Sequence, residues 1–210
     1  MLHKEAVDEP VLELLKSLQS KQYLRGFNLS GGTALALING YRKSVDIDLF
    51  SNFSFDTQQM LENLVQDFDF DLLLSAPNTL RGSVKDIKVD IIAHRYRLLE
   101  DPVAEENISI LSEPDIIAMN LNAISTSGQR VKDFIDIYYL LDKYELRAML
   151  NYYQSKYDQD NDMLILKSLI YFDDLDESEW PVLIKEPHLK WKNVKRRVEK
   201  EVISFSRKLP

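Results

Sequence analysis

The chain has 210 residues, 45% of them hydrophobic and 29% charged, with a net charge of −8. That balance describes a globular protein of one or two domains and excludes a disordered or fibrous chain. The absence of cysteine excludes disulfides, thiol nucleophiles, iron–sulfur clusters and cysteine zinc sites, and His3, His94 and His188 are too widely spaced for a local histidine metal motif. The opening Met-Leu-His-Lys-Glu lacks the apolar core of a signal peptide, and no run reaches the ~20 apolar residues of a membrane span. The expectation is a cytoplasmic chain with no membrane partner.

Asp8 is placed to cap a first helix with Pro10 in its first turn, and Val11, Leu14, Leu15 and Leu18 form its apolar stripe. Residues 27–30 read as extended, Gly31-Gly32 as a break, and 33–38 as a helix ending near Gly40. Residues 44–50 alternate: Val45, Ile47 and Leu49 take one face of a strand, and Ser44, Asp46 and Asp48 the other. Asp56 caps a helix to about Phe68 with Met60, Leu61, Leu64, Val65 and Phe68 inward, and three short strands follow at 70–75, 80–84 and 87–93. Ser112-Glu113-Pro114-Asp115 is a capping-box pattern that starts a helix running to about Ser125. Residues 125–129 read as a loop, and 132–143 as a helix with Phe134, Ile137, Tyr138 and Leu141 on one stripe. Further helices are expected near 145–157, 160–172 and 190–207. Strands gather in the first half and helices in the second, so the fold class is α+β with a boundary near Leu111.

Two motifs carry chemistry. Ser30-Gly31-Gly32-Thr33 stands between a strand and a helix, where glycines admit a close ligand and a helix start offers free N–H groups to phosphate. Plain turn chemistry explains the same residues. Asp46-Ile47-Asp48 puts two carboxylates about 6.5–7 Å apart on one strand face, an arrangement that calls for a cation or else marks a solvated face. Asp90, in Ile87-Lys88-Val89-Asp90-Ile91, joins them if its strand lies alongside. Three such oxygen ligands suit Mg²⁺, which keeps waters and binds substrate phosphates.

Gly31-Gly32-Thr33-Ala34-Leu35-Ala36-Leu37, then Arg42-x-Ser44-x-Asp46-Ile47-Asp48-Leu49-Phe50, resembles the signature of the AbiEii-type toxin nucleotidyltransferases, within the polymerase-β-like nucleotidyltransferase superfamily. Lys88-Val89-Asp90 falls where that family has its third carboxylate. Asp115-Ile-x-Ala118-Met119-x-Leu121-Asn122-Ala123 and Lys132-Asp133-Phe134-Ile135-Asp136 resemble its later block. The resemblance spans residues 27–141. It implies a mixed sheet with flanking helices as a nucleotidyltransferase core over 1–111, then a helical domain over 112–210. It also implies transfer of a nucleoside monophosphate from an NTP, with Mg²⁺ or Mn²⁺ as cofactor. Asp46, Asp48 and Asp90 would be the catalytic and metal residues, and Ser30, Gly31, Gly32, Thr33, Arg42, Ser44 and Asp133 would bind nucleotide. Acceptors in the family include tRNA ends, and the toxins pair with an antitoxin.

Two departures leave a second reading open. Asn120 stands where the family has a lysine, and Ser127-Gly128-Gln129 where it often has an arginine, with Arg130 and Lys132 nearby. Asn cannot supply a cation to phosphate. A catalytically weakened scaffold that binds a nucleotide or a partner fits this loss. The segment Lys190 to Lys208 holds eight Lys or Arg against Glu199 and Glu201. It reads as an amphipathic helix with Val194, Val198, Val202 and Phe205 packed and its cations wet, or as an RNA-binding element.

Overall fold

The structure, a computed structural model, describes residues 1–128 and 130–207. Gln129 of the altered loop and Lys208 of the basic segment lie outside the described residues. The chain divides into two compact units, the first Met1–Ser112 and the second from Glu113 onward.

In the first unit α1 spans Glu9–Gln19 and buries Val11, Leu15 and Leu18. Asp8 takes the N-cap position, but its carboxylate accepts from Lys43 Nζ at 2.8 Å rather than from a helix N–H. Strand β1 is Asn28–Leu29, and α2 is Gly31–Asn39. The helix therefore starts on Gly31, two residues ahead of the sequence expectation, because the glycines form its first turn with Ser30 as N-cap. Gly40 closes it at φ +65°, donating its N–H to the Ala36 carbonyl at 2.8 Å. Strand β2 is Ile47–Ser51. It begins three residues later than the alternation implied, because the Ser44 N–H is spent on the Ala6 carbonyl at 3.0 Å and Val45 is turned to solvent.

Helix α3, Thr57–Phe68, is capped as read: Asp56 accepts from the Gln59 N–H at 3.0 Å. Met60 and Leu64 are buried, whereas Val65, expected on the inward stripe, is 46% exposed. Strands β3 (Asp71–Ala76), β4 (Thr79–Val84) and β5 (Ile87–Ala93) follow. The two short strands β6 (Val103–Glu105) and β7 (Ile108–Ile110), absent from the sequence reading, turn through Glu106 and Asn107, both in the left-handed region. The seven strands form one mixed sheet in the order β3-β4-β5-β2-β1-β7-β6, in which β2 runs parallel to β5 and β1 to β7. Ile47, Leu49, Leu80, Val89 and Ile91 are fully buried on one face. Each such side chain contributes about 1.5–3 kcal/mol. Strand alternation sends Asp48, Asp90 and Arg81 to the other face.

The second unit is helical: α4 (Glu113–Thr126), α5 (Val131–Leu140), α6 (Leu146–Tyr157), α7 (Asp162–Leu169) and α8 (Trp191–Ser206). Ile117, Leu121, Phe134, Ile137, Met149, Ile165 and Val194 are fully buried in it. Asp115, read from sequence as part of a capping box, is fully buried and accepts from the equally enclosed Lys156 Nζ at 2.6 Å. Helix α5 is buried nearly all round, so Asp133 and Asp136 are not surface acids; they are 6% and 1% exposed. Val194, Val198, Val202 and Phe205 form the packed stripe of α8, while Lys192, Arg196, Lys200 and Arg207 lie exposed on its wet side. No helix among the described residues is long and apolar enough to cross a membrane.

Candidate active site

The site is built in the first unit, on the sheet face opposite the buried row of Ile47, Leu49, Val89 and Ile91. β2 and β5 run parallel in a register that pairs Asp48 with Asp90, and the antiparallel β4–β5 register pairs Asp90 with Arg81. Three charged residues thus form one row across three strands. Asp90 is 4% exposed; Arg81 Nε stands 3.3 Å and Lys88 Nζ 3.8 Å from its Oδ2. Those cations offset the repulsion between two carboxylates held side by side. The sequence reading passed over Arg81. Its signal was weak, since only the register of two neighbouring strands brings it to Asp90.

The Gly31-Gly32 turn lies directly against Asp48, the β2 member of this row. Gly31 has φ +64°, a conformation that costs a residue with a Cβ roughly 1–2 kcal/mol. A Cβ there would come 2.6 Å from Asp48 Oδ2, and a Cβ on Gly32 would come 2.2 Å from Arg42 Nη2. Gly31 is thus set by its backbone conformation as well as by this contact, whereas a Cβ on Gly32 would require the buried Arg42 guanidinium to shift. The Ser30 N–H donates to the Asp48 carbonyl at 2.9 Å, locking the start of α2 onto β2. The first turn of α2 leaves helix N–H groups beside a carboxylate, a place where phosphate and a bridging cation are favoured together.

The remaining predicted residues take supporting places. Thr33 is fully buried; its hydroxyl donates to the Asp46 carbonyl and sits 2.8 Å from the Ser44 hydroxyl. Thr33 and Ser44 thereby brace the approach to β2. Arg42 is 2% exposed and lies under Gly32, with Nη1 donating to the Lys43 carbonyl at 3.1 Å. Asp46 precedes β2 and is half-buried, so it does not share the strand register of Asp48. Asp133 belongs to the second unit, where Arg130 grips it through Nε at 2.9 Å and Nη2 at 3.0 Å. Lys132 reaches Glu179 at 3.6 Å. Arg130 and Lys132, the nearby cations of the altered loop, are thus both engaged by acids. Asn120 lies within α4, and among the described residues its buried Oδ1 has no hydrogen-bond partner.

No group of three or more His, Asp or Glu among the described residues gathers at metal-binding spacing. The carboxylates that the strand register brings side by side are Asp48 and Asp90, with Asp46 just ahead of β2. A carboxylate pair of this kind fits Mg²⁺, which is commonly held by one or two acids plus phosphate and water.

Residues 13–72 match the family model of the nucleotidyl transferase AbiEii toxin, Type IV TA system. The chain is 30% identical over 199 residues to an uncharacterized protein, aq_aa25, of Aquifex aeolicus (strain VF5), covering 92% of this chain and 94% of that one. Among solved structures, JHP933 from Helicobacter pylori superposes with a TM-score of 0.53 at 17% identity, covering 97% of this chain and 94% of that one. MenT4, a nucleotidyltransferase toxin from Mycobacterium tuberculosis H37Rv, superposes with a TM-score of 0.55 at 16% identity, over 94% of this chain and 84% of that one. At those identities the two structures speak for the fold.

Proposed function

The chain belongs to the AbiEii nucleotidyl transferase family, and from that premise we propose that it moves a nucleoside monophosphate from an NTP to an acceptor hydroxyl in an Mg²⁺-dependent reaction. The observation that carries the reading is the Asp48–Asp90 register pair, with Asp48 lying against the Gly31-Gly32 turn. Asp48 and Asp90 would hold Mg²⁺ together with triphosphate oxygens, and the bound ion supplies positive charge against the charge that builds on phosphate during transfer. The opening N–H groups of α2 bind and orient the triphosphate. Asp90 takes the proton of the attacking hydroxyl as its oxygen bonds to the α-phosphorus and the bond to pyrophosphate breaks. Arg81 holds Asp90 in place from the neighbouring strand. Arg42 and Thr33 act by positioning, since both are buried behind the turn.

RNA ends such as those of tRNA are the acceptor class we favour. The family's Type IV toxin–antitoxin description supports a cognate antitoxin as partner. The test incubates purified protein with Mg²⁺ and each of four labelled NTPs, offering total tRNA and the protein itself as acceptors. Label transfer that disappears in Asp46→Asn/Asp48→Asn is the expected result. Transfer retained by that variant overturns the assignment. Mg²⁺-dependent NTP binding without transfer would instead favour the weakened scaffold, with Asn120→Lys as the variant to examine.

A further inference from the structure

Helix α8 opens with its charge the wrong way round. Lys190 takes the N-cap position with no side-chain cap, Lys192 follows in the first turn, and no acid stands in that turn. Cations at a helix N-terminus oppose the positive end of the helix dipole, so folding gains nothing from placing them there. The excess continues along the helix. Lys192, Arg196, Lys200 and Arg207 are all exposed, and at 3.6 residues per turn they fall on one face. At 1.5 Å per residue the row is about 22 Å long, with about 6 Å between successive members of its first half. Two further cations of the helix are already used: Arg197 Nη2 reaches Asp142 at 2.7 Å, and Lys195 Nζ lies 5.2 Å from the centre of the Phe172 ring. Among the described residues no acid forms an ion pair with the four cations of the row.

The same face carries a shallow depression lined by Arg196, Glu199, Lys200, Ile203, Ser204 and Arg207. Three cations there meet one carboxylate, in a chain whose net charge is −8. The occupant must therefore be an anion with several charges along its length. A membrane surface does not fit, because it would take up the apolar stripe of an amphipathic helix, and Val194, Val198, Val202 and Phe205 are packed inside the unit. Base stacking does not fit either. Trp191, the aromatic residue of the helix start, packs edge to face on Phe134 and Phe172, with ring centroids 5.8 Å and 5.3 Å away. What the row offers is charge at regular steps, and a nucleic-acid backbone supplies a phosphate at every nucleotide.

We propose that the row Lys192, Arg196, Lys200 and Arg207 is a docking surface for the phosphate backbone of the acceptor RNA, held without regard to base sequence. The inference rests on RNA as the acceptor class. It divides the work: α8 of the second unit supplies affinity for the acceptor, and the carboxylates of the first unit supply the chemistry. Glu199 is the opposing charge in the depression, so its carboxylate weakens the same contact.

The probes are fluorescein-labelled 12-nucleotide single strands of oligo-U and oligo-A RNA and a labelled 12-residue polyglutamate peptide, read by anisotropy across a salt series without NTP or Mg²⁺. Replacing all four cations by glutamine keeps good helix formers at exposed positions, and an unchanged circular dichroism spectrum checks that α8 still forms. The variant is expected to lower the log–log salt slope by about 2.8, so that going from 50 to 200 mM salt costs wild type ~50-fold more affinity than the variant. Oligo-U and oligo-A should be affected alike. Lys192→Arg/Lys200→Arg should retain binding, and Glu199→Gln should tighten it. No RNA binding by wild type at 50 mM salt, or an unchanged affinity and slope in the glutamine variant, overturns the docking surface. Polyglutamate bound as tightly as RNA, and lost in the same variant, assigns the row to an acidic protein and overturns the RNA assignment. Asp48→Asn separates this inference from the reading of the site: it should abolish transfer and leave RNA affinity intact. Retained transfer in that variant sinks the carboxylate assignment whatever α8 does.

Discussion

Asp48 and Asp90 stand at the same register position on neighbouring parallel strands, with Arg81 at the matching position on the next strand. Neighbouring strands are about 4.7–4.9 Å apart, so two carboxylates on one face repel unless a cation lies between or beside them. Asp48→Asn and Asp90→Asn should each lower transfer on the order of 10²–10³-fold; Asp48→Asn removes one of two like charges and should leave Tm unchanged or raise it, whereas Asp90→Asn also gives up its contacts with Arg81 and Lys88. Thermal unfolding with and without MgCl₂ checks the second half. Wild type should be stabilised by Mg²⁺, by about 2.7 kcal/mol at a concentration 100 times Kd, and the Asp48→Asn/Asp90→Asn variant should not respond. An equal Mg²⁺ response in both would detach the ion from this pair.

The glycine turn makes a sharper prediction because its two members fail for different reasons. Gly31→Ala meets both a left-handed backbone and Asp48 Oδ2 at 2.6 Å, and Gly32→Ala meets Arg42 Nη2 at 2.2 Å. Gly31→Ala should cost about 1–3 kcal/mol in chemical denaturation and should impair transfer beyond that loss, since it displaces Asp48. Gly32→Ala acts on Arg42 instead. Pairing Gly32→Ala with Arg42→Ala should recover part of the deficit, giving a coupling energy of about 0.5–3 kcal/mol in a double-mutant cycle. Strict additivity would mean that the guanidinium yields and the contact is not a constraint.

The order of strands and helices was legible because amphipathic period and caps are local signals: Asp56, Gly40 and Pro10 mark ends that the fold uses. The Asp48–Asp90 neighbourhood was legible only as a conditional, since strand pairing is a long-range property. Three features escaped. Strands β6 and β7 are three residues each, too short for a period of two to declare itself. The register that brings Arg81 to Asp90 is set by the hairpin between β4 and β5, not by any motif. Asp115 fitted a capping pattern, yet its carboxylate goes to Lys156, because a buried cation outweighs a helix N–H as a partner for a carboxylate.

That Asp115–Lys156 pair, at 2.6 Å and fully enclosed between α4 and α6, fixes how those helices meet. Removing one partner deprives the other of its buried counter-charge. Lys156→Met and Asp115→Asn should each destabilise by about 3–5 kcal/mol. The double replacement Asp115→Leu/Lys156→Met removes both charges and should recover most of the loss, because apolar residues of similar volume pack as well as a desolvated pair. Urea unfolding of the single and double variants decides this. A double variant as unstable as the sum of the singles would mean that the pair contributes net stability rather than specificity.

Alkaline pH tests a different part of the packing. Burial pushes the Tyr139 hydroxyl up from the ordinary tyrosine range, with Glu186 adding to it, and burial followed by the hydrogen bond to Asp67 at 3.0 Å does the same for Tyr23. In the unfolded chain both phenols titrate near about 10. A folded-state value above the unfolded one means that the native protein retains protons the unfolded chain has lost. The stability these phenols contribute is therefore fully present below pH ~10 and falls as pH rises beyond it. Urea unfolding from pH 8 to 11 should show this decline, and Tyr23→Phe/Tyr139→Phe should flatten it. Absorbance at 295 nm supplies the independent measure: of the 10 tyrosines, Tyr138 and Tyr171 are also held above the ordinary range, so the late-ionising component should shrink in the double variant by the share of Tyr23 and Tyr139. A late component undiminished in the variant would assign the slope to other phenols.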